Sequence, residues 1–383
     1  MKILIFNWRD IRNPEAGGAE VFTHEIAKRL VKRGDEVTLF TSKFYNCKKE
    51  EFVDGIRIIR AGGKYFVYQK AKEYYKNIFS KEGFDVIIDE INTKPFLTPK
   101  FVNNGEKIIA LIHQLAREFW FYETPFPVNL IGYYILEKRW LKNYANIPTI
   151  TVSNSTKKNL DDLGFKKIFI VHNGLNIEPL SEVPEKAEKP TIIYVGRMKK
   201  AKKPQDVIEA FKIVKKEIRD VQLWMVGDGY LRKKLETKAK DIRFFGYVDK
   251  RTKDELVKKA WVIAVPGVRE GWGQVVTDAN ALGTPAVGYN IPGLRDSIKH
   301  GYNGLLVEDG NIEALANAVV YLLENDNLRE ELSRNAIEWA KRFSWDRSAE
   351  EFEKVIKNVI EERGSDESRY RKRQYWIQQR CMA

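Results

Sequence analysis

The sequence predicts an α/β protein of two domains, each built around a parallel β-sheet. The chain has 383 residues, more than one hydrophobic core usually organises. Short apolar runs alternate with amphipathic stretches through most of its length, which is the pattern of repeated βα units. A polar stretch with several Pro and Glu residues, at 178–190, interrupts the alternation before it starts again. We therefore expect two Rossmann-like domains that face each other across a cleft.

In the first half, an apolar run at 2–6 predicts a strand, and a helix is expected after it over 19–33. Phe22, Ile26 and Leu30 recur every four residues and form the buried face of that helix. Apolar runs predict the other strands of this half at 36–41, 85–89, 107–112, 149–152 and 168–172.

In the second half, apolar runs predict strands at 191–196, 221–227, 243–246, 261–266 and 285–289. A helix is expected near 205–217, and from about 311 to 363 the pattern is helical only. The last helix follows Ser344 and Trp345 and is expected to cross back to the first domain. We place the first domain at 1–175, the second domain at 176–344, and the returning helix and basic tail at about 345–383.

The chain carries a formal net charge of +13 and two cysteines, Cys47 and Cys381. An excess of cations suits nucleic acid, an anionic membrane or a phosphorylated substrate, and a Lys-rich solvated surface explains it equally well. The cysteines share no metal-ligand or redox spacing. No apolar run approaches the roughly 18 residues of a spanning helix, and Met1 leads into a strand without a signal-peptide layout. We expect a cytoplasmic protein.

The most informative stretch is REGWGQVVTD, at 269–278, directly after the strand expected at 261–266. Two glycines bracket a tryptophan at a strand-to-helix turn, and the helix starts near Gly273. Free backbone N–H groups at a helix start form an anion site suited to a diphosphate. Glu270 in the loop and Asp278 on the helix can address different hydroxyl-bearing parts of one ligand. The alternative for this stretch alone is a glycine turn before an ordinary amphipathic helix.

The longer segment EGWGQVVTDANALGTPAVGY resembles the signature of glycosyltransferase family 4, the retaining enzymes of the GT-B fold. The resemblance implies that Glu270 binds hydroxyls of the donor sugar near the reacting carbon. It also implies that the backbone at Gly273 and Gln274 holds the diphosphate of the donor. The second acidic residue of the signature binds the nucleotide ribose and is normally Glu, so Asp278, one methylene shorter, departs from the pattern.

A second matching segment, GRMKKAKK, follows the strand expected at 191–196. The resemblance places Arg197 and Lys202 on the donor diphosphate. Fixed cations there stabilise the charge that the leaving group gains as the glycosidic bond breaks. The alternative is a solvated lysine cluster, and the neighbouring Lys203 could replace Lys202 in the assignment.

Three further segments match, each weak on its own. Gly17 and Gly18 lie between the first strand and its helix, where the family carries two glycines that line the cleft opposite the phosphates. His113 ends the strand 107–112 and points into the cleft of an open sheet, where family members often carry a His that contacts the donor sugar. Tyr247 belongs to a segment whose backbone faces the nucleobase in the family.

The resemblance implies a retaining transfer of a hexose from a UDP- or GDP-sugar to a hydroxyl of a glycan or lipid-linked acceptor. The chain contains no Asp-x-Asp, so no metal and no cofactor is expected, and the cations and helix terminus neutralise the diphosphate instead. The alternatives are an epimerase or phosphorylase of the same fold, a non-catalytic nucleotide-sugar binder, and a basic nucleic-acid-binding protein. Nucleic acid is disfavoured because the cations are spread over both halves without a recognised module. The oligomeric state stays open.

Two stretches of the first half, 64–77 and 117–140, mix aromatic residues with cations. Such stretches suit a membrane interface or the stacking of sugars on rings, and they suit helices packed into a core equally well. We predict peripheral attachment to the anionic cytoplasmic face of a membrane.

Overall fold

The computed structural model describes residues 1–239 and 241–362. They form two α/β domains and a C-terminal helix, and the basic tail beyond residue 362 lies outside the described part. The two parallel sheets confirm the predicted fold class.

The first domain contains an eight-stranded sheet. Its strands are β1 (Lys2–Phe6), β2 (Glu36–Thr41), β3 (Glu50–Val53), β4 (Ile56–Arg60), β5 (Val86–Glu90), β6 (Lys107–Ile112), β7 (Thr149–Thr151) and β8 (Ile168–Ile170). They lie in the order β3-β4-β2-β1-β5-β6-β7-β8, and only the edge strand β3 runs antiparallel to its neighbour. Because β1 lies between β2 and β5, the strand order reverses at β1 and opens a crevice at the carboxyl ends of the strands.

The helices of this domain are α1 (Gly18–Lys32), α2 (Val67–Asn77), α3 (Phe119–Glu123), α4 (Val128–Ile131), α5 (Glu137–Leu141) and α6 (Asn154–Asp162). Helix α1 buries Phe22, Ile26 and Leu30, as the four-residue spacing predicts. Glu20 in its first turn and Lys32 in its last complement the helix dipole.

The second domain contains six parallel strands. They are β9 (Thr191–Val195), β10 (Gln222–Val226), β11 (Arg243–Gly246), β12 (Val262–Val265), β13 (Ala286–Tyr289) and β14 (Gly304–Val307). Their order is β11-β10-β9-β12-β13-β14, so the reversal falls between β9 and β12. The helices are α7 (Pro204–Glu217), α8 (Arg232–Lys238), α9 (Lys250–Lys259), α10 (Gln274–Ala281), α11 (Leu294–Ser297), α12 (Ile312–Glu324) and α13 (Asp326–Ala340).

The C-terminal helix, α14, covers 345–362 and packs on the first domain, as predicted. Phe352 is 2 % exposed and lies edge-on to Phe22, with 6.2 Å between the ring centroids. Outside this apolar contact, Arg33 pairs with Glu353 at 2.8 Å. Helix α14 therefore completes the hydrophobic core of the first domain.

Two elements escaped the sequence-based prediction. Strands β3 and β4 form a hairpin whose turn residues, Asp54 and Gly55, have φ of 51° and 81°. That pair is the usual residue choice for a two-residue turn, so the signal was present in the sequence. Strand β14 is short and only partly buried, and it lies at the edge of its sheet. The domain boundary at 175/176 stays a prediction.

Replacing Phe352 by Ala should lower the free energy of unfolding by about 3–5 kcal/mol, because it leaves a cavity between α14 and α1. Denaturant unfolding measures the change. Glu350→Ala on the same helix is the matched control: its side chain is 68 % exposed, so about 1 kcal/mol or less is expected. Equal losses in both variants would contradict the packing of α14 on the first domain.

Candidate active site

The strand-order reversals of the two sheets face each other. Charged side chains in the loops after these strands make contacts between the two domains. The guanidinium of Arg197, after β9, donates to the backbone carbonyls of Glu15 and Ala16 at 2.8 and 2.5 Å. Arg269, after β12, pairs with Glu118 of the first domain at 2.8 Å. The cleft is therefore narrow enough for side chains of one domain to reach the backbone of the other.

The loop that carries Glu270 is fixed on two sides by glycines. An ideal Cβ on Gly271 would lie 2.8 Å from the carbonyl oxygen of His113, and one on Gly293 would lie 2.2 Å from that of Glu270. Only glycine allows backbones to approach this closely. The close approach brings the predicted catalytic pair, Glu270 and His113, to the same part of the cleft.

Helix α10 starts directly after this loop. Its first flanking residue, Gly273, has φ of 88° and provides no side-chain cap, so first-turn N–H groups remain available for an anion. The side chain of Gln274 bonds to the interdomain segment, donating to Gly174 O at 2.9 Å and accepting from Asn173 at 3.0 Å. Because its side chain is already hydrogen-bonded, Gln274 would contact a ligand through its backbone N–H.

Lys202 donates to the carboxylate of Glu270 and forms an ion pair with it. Lys203, the alternative in the sequence, turns away, pairing with Asp309 at 2.8 Å and lying over the ring of Tyr289. The structure thus brings Lys202, and not Lys203, to the Glu270 loop.

Gly17 and Gly18 differ in the space around their Cα atoms. An ideal Cβ on Gly17 would lie 3.0 Å from the guanidinium of Arg197, whereas one on Gly18 would meet nothing within 4 Å. Burial lowers the pKa of Arg197, and the nearby Arg9 adds to this effect. An anion bound beside Arg9 and Arg197 would relieve the repulsion between the two arginines.

Asp278 lies one turn beyond Gln274 and accepts from its side chain at 3.0 Å. Burial raises the pKa of Asp278, and Lys253, 3.9 Å away, opposes this shift. Tyr247, by contrast, is 86 % exposed, and its place beside the nucleobase stays a prediction. In the described part of the chain, no three His, Cys, Asp or Glu side chains gather as metal ligands would.

Sequence reasoning missed one residue of this site. Glu90, the last residue of β5, is 1 % exposed, and its Oε1 lies 3.3 Å from Nε2 of His113. Its position at the carboxyl end of the strand beside the reversal was the available signal.

The two halves of the chain match two family models in order. Residues 16–179 match the model described as Glycosyltransferase Family 4, and residues 177–339 match Glycosyl transferases group 1. A phosphatidyl-myo-inositol mannosyltransferase of Mycobacterium leprae is 33 % identical over 223 residues, which are 56 % of this chain and 59 % of that protein.

Solved structures share the fold at low identity. Sucrose-phosphate synthase from Thermosynechococcus elongatus has a TM-score of 0.78 at 21 % identity, over 94 % of this chain and 99 % of that one. HepE from Anabaena, solved in complex with UDP and glucose, has a TM-score of 0.68 at 16 % identity, over 95 % and 100 % of the two chains.

Two facing parallel-sheet domains and these matches define an enzyme of the GT-B class that transfers sugars. Within that class, the chain belongs to glycosyltransferase family 4.

If Asp278 accepts hydrogen bonds from a ribose, affinity for a nucleotide sugar should fall as the pH is lowered from about 7 towards 4. A raised pKa brings protonation of Asp278 into this range, and the neutral acid is the weaker acceptor. The diphosphate diester itself does not titrate there. Calorimetric titration of wild type and Asp278→Asn measures the effect.

The Asn variant should bind more weakly at neutral pH and lose the pH dependence. Asp220→Asn, an exposed carboxylate of the same domain, is the control and should behave like wild type. An unchanged pH profile in Asp278→Asn would remove Asp278 from the ribose contact.

Proposed function

We propose that this enzyme moves a hexose from a nucleotide-diphosphate sugar to a hydroxyl of a glycan or lipid-linked acceptor, with retention and without a metal. A UDP- or GDP-sugar is the favoured donor. The observation that carries the proposal is the Lys202–Glu270 pair at the start of α10, opposite Arg197.

Three positive features of the cleft suit a diphosphate. Lys202 and Arg197 carry full charges, and the uncapped start of α10 adds the positive end of a helix dipole. Both cations have partners within the chain. A bound diphosphate would take Lys202 from Glu270 and leave that carboxylate free for hydroxyls of the sugar.

The leaving nucleotide diphosphate gains negative charge as the glycosidic bond breaks. Preorganised cations lower the free energy of that transition state more than that of the bound donor. Retention follows if the acceptor hydroxyl attacks from the face that the phosphate leaves, as the family resemblance implies. The relative named for mannosyl transfer favours a hexose, and the HepE complex with UDP and glucose favours a nucleotide donor.

A thermal-shift screen of UDP-, GDP- and ADP-sugars, with and without EDTA, tests the donor site. One nucleotide family should raise the melting temperature, because a ligand that binds only the folded state stabilises it. EDTA should not change the shift, and Arg197→Ala should abolish it. Arg219→Ala, an exposed arginine of the same domain, is the matched control and should keep the wild-type shift.

The competing functions predict other outcomes of this screen. Stabilisation by DNA or RNA alone would favour a nucleic-acid-binding protein. Conversion of the donor to an altered sugar in the absence of an acceptor would favour an epimerase. Turnover that requires inorganic phosphate would favour a phosphorylase. Binding without turnover for any acceptor tested would favour a non-catalytic binder.

For the acceptor, we propose a lipid-linked molecule reached from an anionic membrane surface on the cytoplasmic side. The segment 121–135 presents large apolar side chains to solvent: Phe121, Tyr122, Phe126, Val128, Leu130, Ile131, Tyr134 and Ile135. The exposed cations Lys138, Arg139 and Lys142 follow it directly. Exposed apolar groups beside cations suit the interface of an anionic bilayer. None of the described helices is long and apolar enough to span a membrane.

This surface adjoins the mouth of the cleft. Glu123 accepts from the backbone N–H of Ala201 at 3.0 Å, and Lys199 lies 5.3 Å from the ring centroid of Phe119. An acceptor held in the bilayer at 121–135 would therefore present its head group beside the donor loops.

Pelleting with anionic phospholipid vesicles at low salt tests this surface. Wild type should pellet, and Phe126→Ser or Ile135→Ser should each weaken binding about tenfold, since burying one such side chain contributes about 1.5–3 kcal/mol. Tyr321→Ser, an exposed aromatic of the second domain, is the control and should pellet like wild type. No pelleting of wild type, or equal pelleting of all variants, would overturn the membrane proposal.

A further inference from the structure

A buried polar cluster lies at the strand-order reversal of the first domain, behind His113. At its centre is Glu90, at the end of β5, and Asn7, directly after β1, is 0 % exposed beside it. Thr23 of α1 and Asn92 complete the cluster. A carboxylate in such a place is costly unless its oxygens are hydrogen-bonded.

The two oxygens of Glu90 have different partners. Oε2 accepts from Asn7 Nδ2 at 2.6 Å and from Thr23 Oγ1 at 2.5 Å. Oε1 has only longer contacts, with Asn92 Nδ2 at 3.3 Å and with His113 Nε2 at 3.3 Å. One oxygen is therefore anchored to the domain, and the other faces the imidazole.

The ring of His113 is held in place while its Nε2 lacks a well-formed hydrogen bond. The ring lies edge-on to Phe22, with 5.0 Å between centroids. Nε2 is buried, and its contact with Glu90 is poorly aligned for a hydrogen bond. A small ring adjustment would complete the bond, and a neutral imidazole facing a carboxylate carries its proton on that nitrogen.

We propose that Glu90 is a positioning residue that keeps the proton of His113 on Nε2, so that Nδ1 stays a hydrogen-bond acceptor for a hydroxyl of the donor sugar. The proposal rests on the proposed transferase function. No proton is transferred: the sugar hydroxyl donates to Nδ1, and Nε2–H donates to Oε1 of Glu90. The tautomer of His113 is thus set inside the first domain, before the donor arrives.

Glu90→Gln reverses the preference with the smallest change in shape. Asn7 Nδ2 still requires an acceptor at the Oε2 position, and its own orientation is fixed because Asn7 Oδ1 accepts from Asn92 at 3.1 Å. The 2.6 Å contact from Asn7 is much shorter than the 3.3 Å contact from Asn92 to Oε1, so it favours the Gln oxygen at the Oε2 position and directs the NH₂ group at His113. A donor facing Nε2 moves the ring proton to Nδ1 and removes the acceptor from the sugar.

The chain has four histidines, so ¹⁵N spectra of histidine-labelled full-length protein can resolve the ring nitrogens, with His113→Asn assigning the signal. Wild type should show an unprotonated Nδ1 at His113, and Glu90→Gln a protonated one. Asp89→Asn is the matched control: Asp89 accepts from Phe96 N and Thr98 N, and its loss should leave the His113 tautomer unchanged. A wild-type His113 protonated on Nδ1, or the same tautomer in Glu90→Gln, would overturn the proposal.

Kinetics separates positioning from simple structural support. With a nucleotide sugar that stabilises the wild type, Glu90→Gln should lower kcat about tenfold or more while the melting temperature stays near that of wild type. In a His113→Asn background, Glu90→Gln should have no further effect, because it acts through the imidazole. Additive losses, or wild-type kcat with a reversed tautomer, would contradict the proposal. Failure of the transferase function is seen separately, as a wild type that responds to no nucleotide sugar.

Discussion

The loop from Glu270 to Gly273 is the part of the structure on which the rest of the site depends. It passes close to both domains because Gly271 and Gly293 leave room for backbone against backbone. Next to Gly271, Trp272 is buried and packs against His172 and Phe343, with 4.9 and 5.0 Å between the ring centroids. Those two residues lie where the chain crosses between the domains. A change in the relative position of the domains must therefore move this loop, and with it Glu270 and the start of α10.

The electrostatics of the cleft follow from the same arrangement. Lys202 and Glu270 keep 29 % and 15 % of their side-chain surface exposed, so water still reaches both partners of the pair. Arg197 donates to two neutral carbonyls, which carry no charge to balance that of the guanidinium. A diphosphate brings full negative charges and bidentate oxygens, which bind such cations more strongly. The internal partners thus hold the cations in place without preventing an exchange for the ligand.

The sequence predicted what depends on local pattern and missed what depends on distant partners. Apolar runs located most strands within about two residues, and the motif at 269–278 located the start of α10. Nothing local showed that Lys202 pairs with Glu270, 68 residues away, or that Arg197 reaches the backbone of the first domain. Glu90 escaped for the same reason, because its partners come from three separate elements. The hairpin of β3 and β4 was missed although the dipeptide Asp54-Gly55 is typical of its two-residue turn.

A crystal structure with the nucleotide sugar that stabilises the protein tests the donor site. We expect the diphosphate at the backbone N–H groups of Gly273 and Gln274, with Lys202 moved from Glu270 to a phosphate oxygen and the sugar beside Glu270 and His113. Density for the ligand outside the cleft, or an intact Lys202–Glu270 pair with the donor bound, would contradict the account.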